Sequence, residues 1–141
     1  MKKYKEVVFC GFGEPTARLE DLLEVAAYVK EKFVKPIRVN TNGLSDLIWK
    51  RDTAPMYEGL VDTISISLNT PDKERYYELT RSKFGIDSYD AMLRFAENVS
   101  RYVPNVVLST VATTLTKKEE EQCAEICKKL GVTYRIRPWE D

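Results

Sequence analysis

Thr63-Ile64-Ser65-Ile66-Ser67-Leu68-Asn69 alternates strictly: Ile64, Ile66 and Leu68 share one phase, while Thr63, Ser65, Ser67 and Asn69 share the other. Successive side chains of a strand point to opposite faces, so this segment reads as a strand with one apolar and one polar face. The division recurs on either side of it. Ile37 and Val39 alternate with Arg38, Asn40 and Asn42, and Val132, Tyr134 and Ile136 alternate with Thr133, Arg135 and Arg137. Most parallel sheets carry helices on both faces, and their strands read as continuous apolar runs. These strands do not. An apolar face under helices and a second face of amides, hydroxyls and guanidinium groups is the expectation. That second face could be open to solvent, sealed as a polar network, or the lining of a cavity for a polar ligand. Solvent exposure would favour Lys and Glu over short Ser and Asn. A sealed network is costly unless every group finds a partner. The cavity is therefore favoured.

Outward from this segment, strand patterns recur at Glu6–Cys10, Pro36–Asn40, Asp62–Leu68, Asn105–Val111 and Val132–Arg137. Helical patterns fill the gaps at Arg18–Phe33, Thr53–Gly59, Pro71–Arg81, Ser88–Tyr102 and Lys117–Leu130. Strands alternating with helices predict βαβ units and a parallel α/β sheet. Asp72 and Glu74 mark one helix start, Asp87 or Ser88 another, and Gly131 follows Leu130 as a stop. No linker or repeat interrupts residues 1–141, which predicts a single domain. Strand order separates two folds: sequential order gives part of a barrel, and 2-1-3-4-5 gives a flavodoxin-like open sheet.

Lys plus Arg and Asp plus Glu number 22 each, so no net field argues for nucleic acid or an anionic membrane as partner. No apolar run is long enough to span a bilayer and no signal-peptide core is seen, so a cytoplasmic protein is expected. Histidine is absent, which excludes imidazole acid–base chemistry, Ser-His-Asp and Cys-His nucleophiles, and His-ligated zinc within this sequence. Cys10, Cys123 and Cys127 make no disulfide framework.

The loop after the first strand reads Cys10-Gly11-Phe12-Gly13-Glu14-Pro15-Thr16. Its glycines permit a sharp turn and bring bare backbone to the carboxyl end of a strand, where α/β proteins bind ligands. Taken with Val39-Asn40-Thr41-Asn42-Gly43 and the Ser65–Asn69 strand, in this order, the chain resembles a radical SAM domain. The wider wording at Phe9–Thr16, Arg38–Leu44, Arg51-Asp52-Thr53 with Pro55, and Gly59–Pro71 is similar to the radical SAM proteins associated with TatD-type hydrolases. The likeness runs from about Val7 to Pro138.

The resemblance implies a partial (β/α)₆ barrel and the binding of S-adenosylmethionine at a four-iron, four-sulfur cluster. In the family, cleavage of the cofactor yields a 5′-deoxyadenosyl radical that abstracts hydrogen from substrate. The cluster is held by CxxxCxxC in the loop after the family's first strand. That motif is absent here, and the chain begins at what would be the second strand. Cys123-x-x-x-Cys127 lies in the last helix beside Ile126 and Leu130, where both cysteines read as core; Cys10, at the end of a core strand, reads the same way. The chain is thus expected to supply the later five strands of the domain and to be inactive without a cluster-binding segment. A non-redox adenosyl-binding or nucleotide-binding module, or an assembly partner, is the alternative.

Carried over residue by residue, the resemblance puts the backbone of Gly13 and Glu14 against the methionyl amino group. The Glu14 carboxylate could equally cap the following helix. Ser67 and Asn69 become candidates for the ribose hydroxyls, with Asn40 and Asn42 shaping the pocket; Asn42-Gly43 also reads as a simple turn. Ser109 and Val111 would flank the ribose and adenine. Arg137 could meet a carboxylate or the substrate, whereas Arg135 is expected to pair with a carboxylate within the sheet. Trp49, Tyr76 and Tyr77 read as packing residues. The ligand expected is a small molecule. The unpaired edge near Val7–Cys10 invites a missing N-terminal segment, a second chain or a homodimer partner.

Overall fold

The computed structural model describes residues 7–9, 14–33 and 35–139. Five strands, β1 (Val7–Phe9), β2 (Ile37–Thr41), β3 (Thr63–Ser67), β4 (Asn105–Val111) and β5 (Thr133–Arg137), form one sheet in the order β1-β2-β3-β4-β5. Every neighbouring pair is parallel. This is the sequential α/β order expected of barrel strands, and it excludes the flavodoxin-like alternative. Right-handed crossovers that always step the same way place their helices on one face of the sheet.

The helices are α1 (Leu19–Phe33), α2 (Ser45–Trp49), α3 (Lys73–Thr80), α4 (Ser88–Val99) and α5 (Lys117–Leu130). In α1 the buried residues Leu19, Leu22, Leu23 and Ala26 recur at the spacing of one helical face. In α4 the stripe is Ala91, Met92, Phe95, Ala96 and Val99. These stripes and the fully buried Ile37, Val39, Ile64, Ile66, Leu68 and Leu108 make one core. Tyr57 meets Phe95 edge-on at 5.8 Å between centroids.

Several local expectations change in detail. The segment before α1 is a 3₁₀ turn, Pro15–Arg18, because Pro15 opens it and the Glu14 side chain caps it. The 53–59 segment is likewise a 3₁₀ turn, Ala54–Tyr57. Helix α3 starts two residues later than Pro71, with Asp72 as the N-cap accepting from the Arg75 amide. Helix α4 stops at Val99 rather than Tyr102, and Asp87 precedes it without a side-chain cap bond. The short helix α2 carried no periodicity long enough to read. Glu6 and Cys10, the expected ends of the first strand, lie outside the described residues. Gly131 ends α5 in the left-handed region as expected, and Thr116 and Glu119 form a capping box at its start.

Register fixes which side chains share a face. Asn40, Ser65, Val107 and Thr133 lie in one row, and Ser67, Ser109 and Arg135 in the next. Val111 and Arg137 follow. This is the polar face. The intervening row, Thr41–Ile66–Leu108–Tyr134, turns to the helices. Below the sheet, Asp62 Oδ2 accepts from the Ile37 amide and from Lys30 Nζ, both at 2.7 Å, tying α1 and β2 to the start of β3.

Candidate functional site

The turn that leads into α1 and the carboxyl end of β2 are locked together by one side chain. Glu14 Oε2 accepts from the Thr16 amide at 3.2 Å, from the Thr16 hydroxyl at 2.6 Å, and from the Thr41 hydroxyl. Its other oxygen, Oε1, accepts from the Asn42 amide at 2.8 Å. The Thr41 hydroxyl in turn accepts from the Gly43 amide at 3.0 Å. Trp49 Nε1 donates to the Thr16 carbonyl at 2.8 Å and closes the turn from outside. Charge-assisted bonds of this kind are stronger than neutral ones, so the loop is held in place before any ligand arrives.

Asn42 is used locally as well: its Oδ1 accepts from the Leu44 amide at 3.0 Å, an Asx turn that leads into Gly43 at φ +79°. Behind this turn lies a polar cluster that sequence reasoning missed. Asp46 Oδ1 accepts from the amide and hydroxyl of Thr53, both at 2.7 Å, and the Ser45 and Thr53 hydroxyls are 2.6 Å apart. Tyr57 OH donates to Ser45 Oγ at 3.2 Å, and burial raises its pKa. These partners are polar residues separated by seven to twelve positions with no repeating pattern, so only the folded chain pairs them.

At the ends of β3 and β4 the backbone turns through Asn69, which has φ +70°. Both the Leu68 and Asn69 amides donate to the Ser109 carbonyl, at 2.9 and 3.2 Å. Asparagine tolerates this left-handed conformation better than most residues.

Two clefts open at this end of the sheet. One of about 430 Å³ is lined by Glu14, Asn42, Leu44, Tyr76, Arg81 and Phe84 among others. Burial pushes the Tyr76 phenol up to about 12, leaving it a neutral hydroxyl at physiological pH. The second, of about 500 Å³, includes Asn69, Thr70, Val111, Leu115 and Glu119. The expected site residues are thus divided. Glu14 and Asn42 line the first cleft, and Asn69 and Val111 the second. Asn40, Ser67, Ser109 and Arg137 lie on the polar sheet face, and Gly13 lies outside the described residues.

On that face, Asn40 Oδ1 and Arg137 Nε are enclosed and make no hydrogen bond. An acceptor and a donor left unmade each cost about 1–3 kcal/mol, which a polar ligand can recover. The face therefore fits a ligand carrying both donors and acceptors. Arg135, expected to pair with a carboxylate inside the sheet, forms no ion pair among the described residues. The register explains this: its row partners are Ser109 and Ser67, not carboxylates.

Cys123 and Cys127 are buried at 0% and 1% exposure on the inner face of α5. Burial pushes their thiols up to about 11 and about 12, from an ordinary value near 8.5. Both sit in the core on one face of α5, and no group of three or more cysteine, aspartate or glutamate side chains among the described residues could hold a metal ion, so these two residues do not fit an iron–sulfur cluster. Cys10 lies outside the described residues. Iodoacetamide should modify Cys123 and Cys127 slowly in the folded protein at pH 8 and quickly in urea; rapid native modification of both would contradict this burial. The same shifts predict alkaline instability. The unfolded thiols ionise first, so stability is intact below about pH 8.5 and falls as pH rises toward the folded values. A series of thermal melts across pH 7–11 reads it.

The sequence model of the radical SAM superfamily matches residues 1–130. This chain belongs to the radical SAM superfamily. A probable GTP 3′,8-cyclase from Methanococcus maripaludis is 25% identical over 124 residues, spanning 88% of this chain and 39% of that protein. Among solved structures, SuiB of Streptococcus suis bound to S-adenosylmethionine superposes with a TM-score of 0.69 at 15% identity, over 96% of this chain and 30% of SuiB. A radical SAM methyltransferase from Sphaerobacter thermophilus gives 0.65 at 20% identity, over 97% and 41% of the two chains. This radical SAM chain therefore spans well under half the length of the relatives it matches, and the structural likenesses establish the fold. The superfamily implies S-adenosylmethionine and a four-iron cluster. The described polar face fits the first, and the described cysteines do not fit the second. No helix among the described residues is long and apolar enough to cross a membrane.

Proposed function

We propose that this chain forms the cofactor- and substrate-facing wall of a radical SAM core. The observation that carries this reading is the polar face of the sheet, with Asn40 Oδ1 and Arg137 Nε enclosed and unpartnered on it. The backbone of Gly13 and Glu14 receives the methionyl amino group, while the Glu14 carboxylate holds the turn. Ser67 and Asn69 bind the ribose hydroxyls, Asn40 and Asn42 shape the adjoining wall, and Ser109 and Val111 flank the ribose and adenine. Arg137 stands at the pocket's edge, toward a carboxylate or the substrate. S-adenosylmethionine, when bound and reduced, supplies the radical chemistry. The chain's own residues orient it and keep water from it.

Cluster ligands come from sequence other than Cys123 and Cys127, and the chain is inactive without them. The edge of β1 is the place where such a segment, a second chain or another copy adds a strand. Val8, opposite Arg38 on the polar face, is 42% exposed. A TatD-associated role in the cytoplasm belongs to the same reading. The placement of the cysteines also supports a second reading, an adenosyl-binding module without redox chemistry.

Anaerobic reconstitution of the 141-residue chain with iron and sulfide separates these ideas from a self-sufficient enzyme. The expected result is no stoichiometric iron and no cluster charge-transfer absorption. A four-iron cluster on this chain would overturn the assignment of its cysteines.

A further inference from the structure

The chain as a whole is electrically balanced, with 22 basic and 22 acidic residues, but on β5 the polar face carries Arg135 and Arg137 and no carboxylate. The rows that share this face are Arg38–Thr63–Asn105, Asn40–Ser65–Val107–Thr133, Ser67–Ser109–Arg135 and Val111–Arg137. Among the described residues these rows hold Arg38, Arg135 and Arg137 and no aspartate or glutamate, and Arg38 has an interaction of its own. Arg38 lies toward the amino ends of the strands. Arg135 and Arg137 lie together on β5 near the carboxyl ends, where α/β domains take their ligands. Two residues apart on one face, their Cα atoms are separated by about 7 Å.

Neither of the two is neutralised. Among the described residues they form no ion pair, and Arg137 Nε is enclosed without a hydrogen-bond partner. The carboxylate that the β1–α1 turn brings to this end of the sheet, Glu14, is committed to Thr16, Thr41 and Asn42. Arg135 is exposed and Arg137 partly enclosed, so one guanidinium lies against the sheet while the other reaches from solvent.

We propose that Arg135 and Arg137 form an oxyanion clamp for the substrate, and that the substrate carries a phosphate monoester. The inference rests on the reading that this face binds the cofactor and its substrate. A guanidinium fork matches both carboxylate and phosphate oxygens. Charge decides between them: a phosphate monoester carries about −1.5 to −2 at pH 7, which answers two adjacent guanidinium groups, whereas a carboxylate answers one. The hydroxyl of Ser109, in register with Arg135, adds a donor in the same row.

Amide-resolved NMR titrations of the whole chain at low salt test this, with methyl phosphate, malonate and S-adenosylmethionine as separate probes. Methyl phosphate should shift amides of residues 133–139 and their β4 neighbours. Arg135→Gln should weaken it about tenfold, with Arg135→Lys intermediate because it keeps charge and loses the fork. Arg135 contributes no cofactor contact, so S-adenosylmethionine should bind Arg135→Gln as it binds the unaltered chain. Malonate binding as tightly as methyl phosphate would overturn the phosphate assignment. Methyl phosphate shifts lying elsewhere, or unchanged in Arg135→Gln, would overturn the clamp. Cofactor shifts without phosphate shifts at β5 would refute the clamp alone. Phosphate shifts at β5 without cofactor shifts would support the clamp and refute the cofactor reading beneath it.

Discussion

Glu14→Ala is expected to cost about 2–4 kcal/mol of stability and to abolish ligand binding at this end of the sheet. Four donors converge on the carboxylate, from Thr16 twice, Thr41 and Asn42. Removing it leaves the Thr16 and Asn42 amides without acceptors, and Thr16 is fully buried, so little water can replace the bond. Glu14→Gln should recover less than its shape suggests. Its amide group would face the Thr16 N–H, a donor that cannot rotate away, if it takes the Oε2 position. Urea unfolding of both variants measures the loss. A change below about 0.5 kcal/mol for Glu14→Ala would show that the carboxylate does not hold the Glu14–Thr16 turn to the end of β2.

Gly43→Ala carries an effect of similar size for a different reason. Gly43 has φ +79°, and a Cβ there would stand 2.9 Å from Met92 Cγ and 3.0 Å from Ile66 Cγ2. The backbone conformation costs a non-glycine residue about 1–2 kcal/mol, and overpacking a filled core adds about 1–3 kcal/mol. The expected total is about 2–5 kcal/mol, read as a lowered melting temperature. Adding Met92→Ala to Gly43→Ala removes the closest neighbour, so the two changes should be less than additive. Full additivity would contradict the packing explanation.

The sheet was legible in the sequence because alternation is a local signal. Ile64, Ile66 and Leu68 against Ser65, Ser67 and Asn69 give the two faces directly, and the strand–helix alternation gives parallel pairing. The turn at Asn42-Gly43 was also legible, since Asn-Gly marks positive φ. Glu14 was read only in part: a cap is a local event, but its bonds to Thr41 and Asn42 bridge 27 and 28 residues. Long-range polar pairing has no period, which is also why Ser45, Asp46, Thr53 and Tyr57 went unread. Arg135 was misread because the identity of its row partners depends on register, and register is set only when β4 pairs with β5. Helix α2 is shorter than one heptad and leaves no stripe.

The claim on which the rest depends is that the polar face and strand ends form a cofactor surface. An amide chemical-shift titration with S-adenosylmethionine tests it most directly, because it detects weak binding and reports its place. Without a cluster to hold the amino and carboxylate groups, binding should be weak, with a dissociation constant from high micromolar to millimolar, or about 4–6 kcal/mol. The informative variant is Ser67→Ala with Asn69→Gly, since glycine preserves the φ of +70° at residue 69 while removing the side chain. Shifts concentrated at Glu14, Asn40, Asn42, Ser67, Asn69, Ser109 and Val111, and lost in that double variant, are the predicted result. Shifts confined to the helix-covered side, or none at millimolar cofactor, would contradict the account.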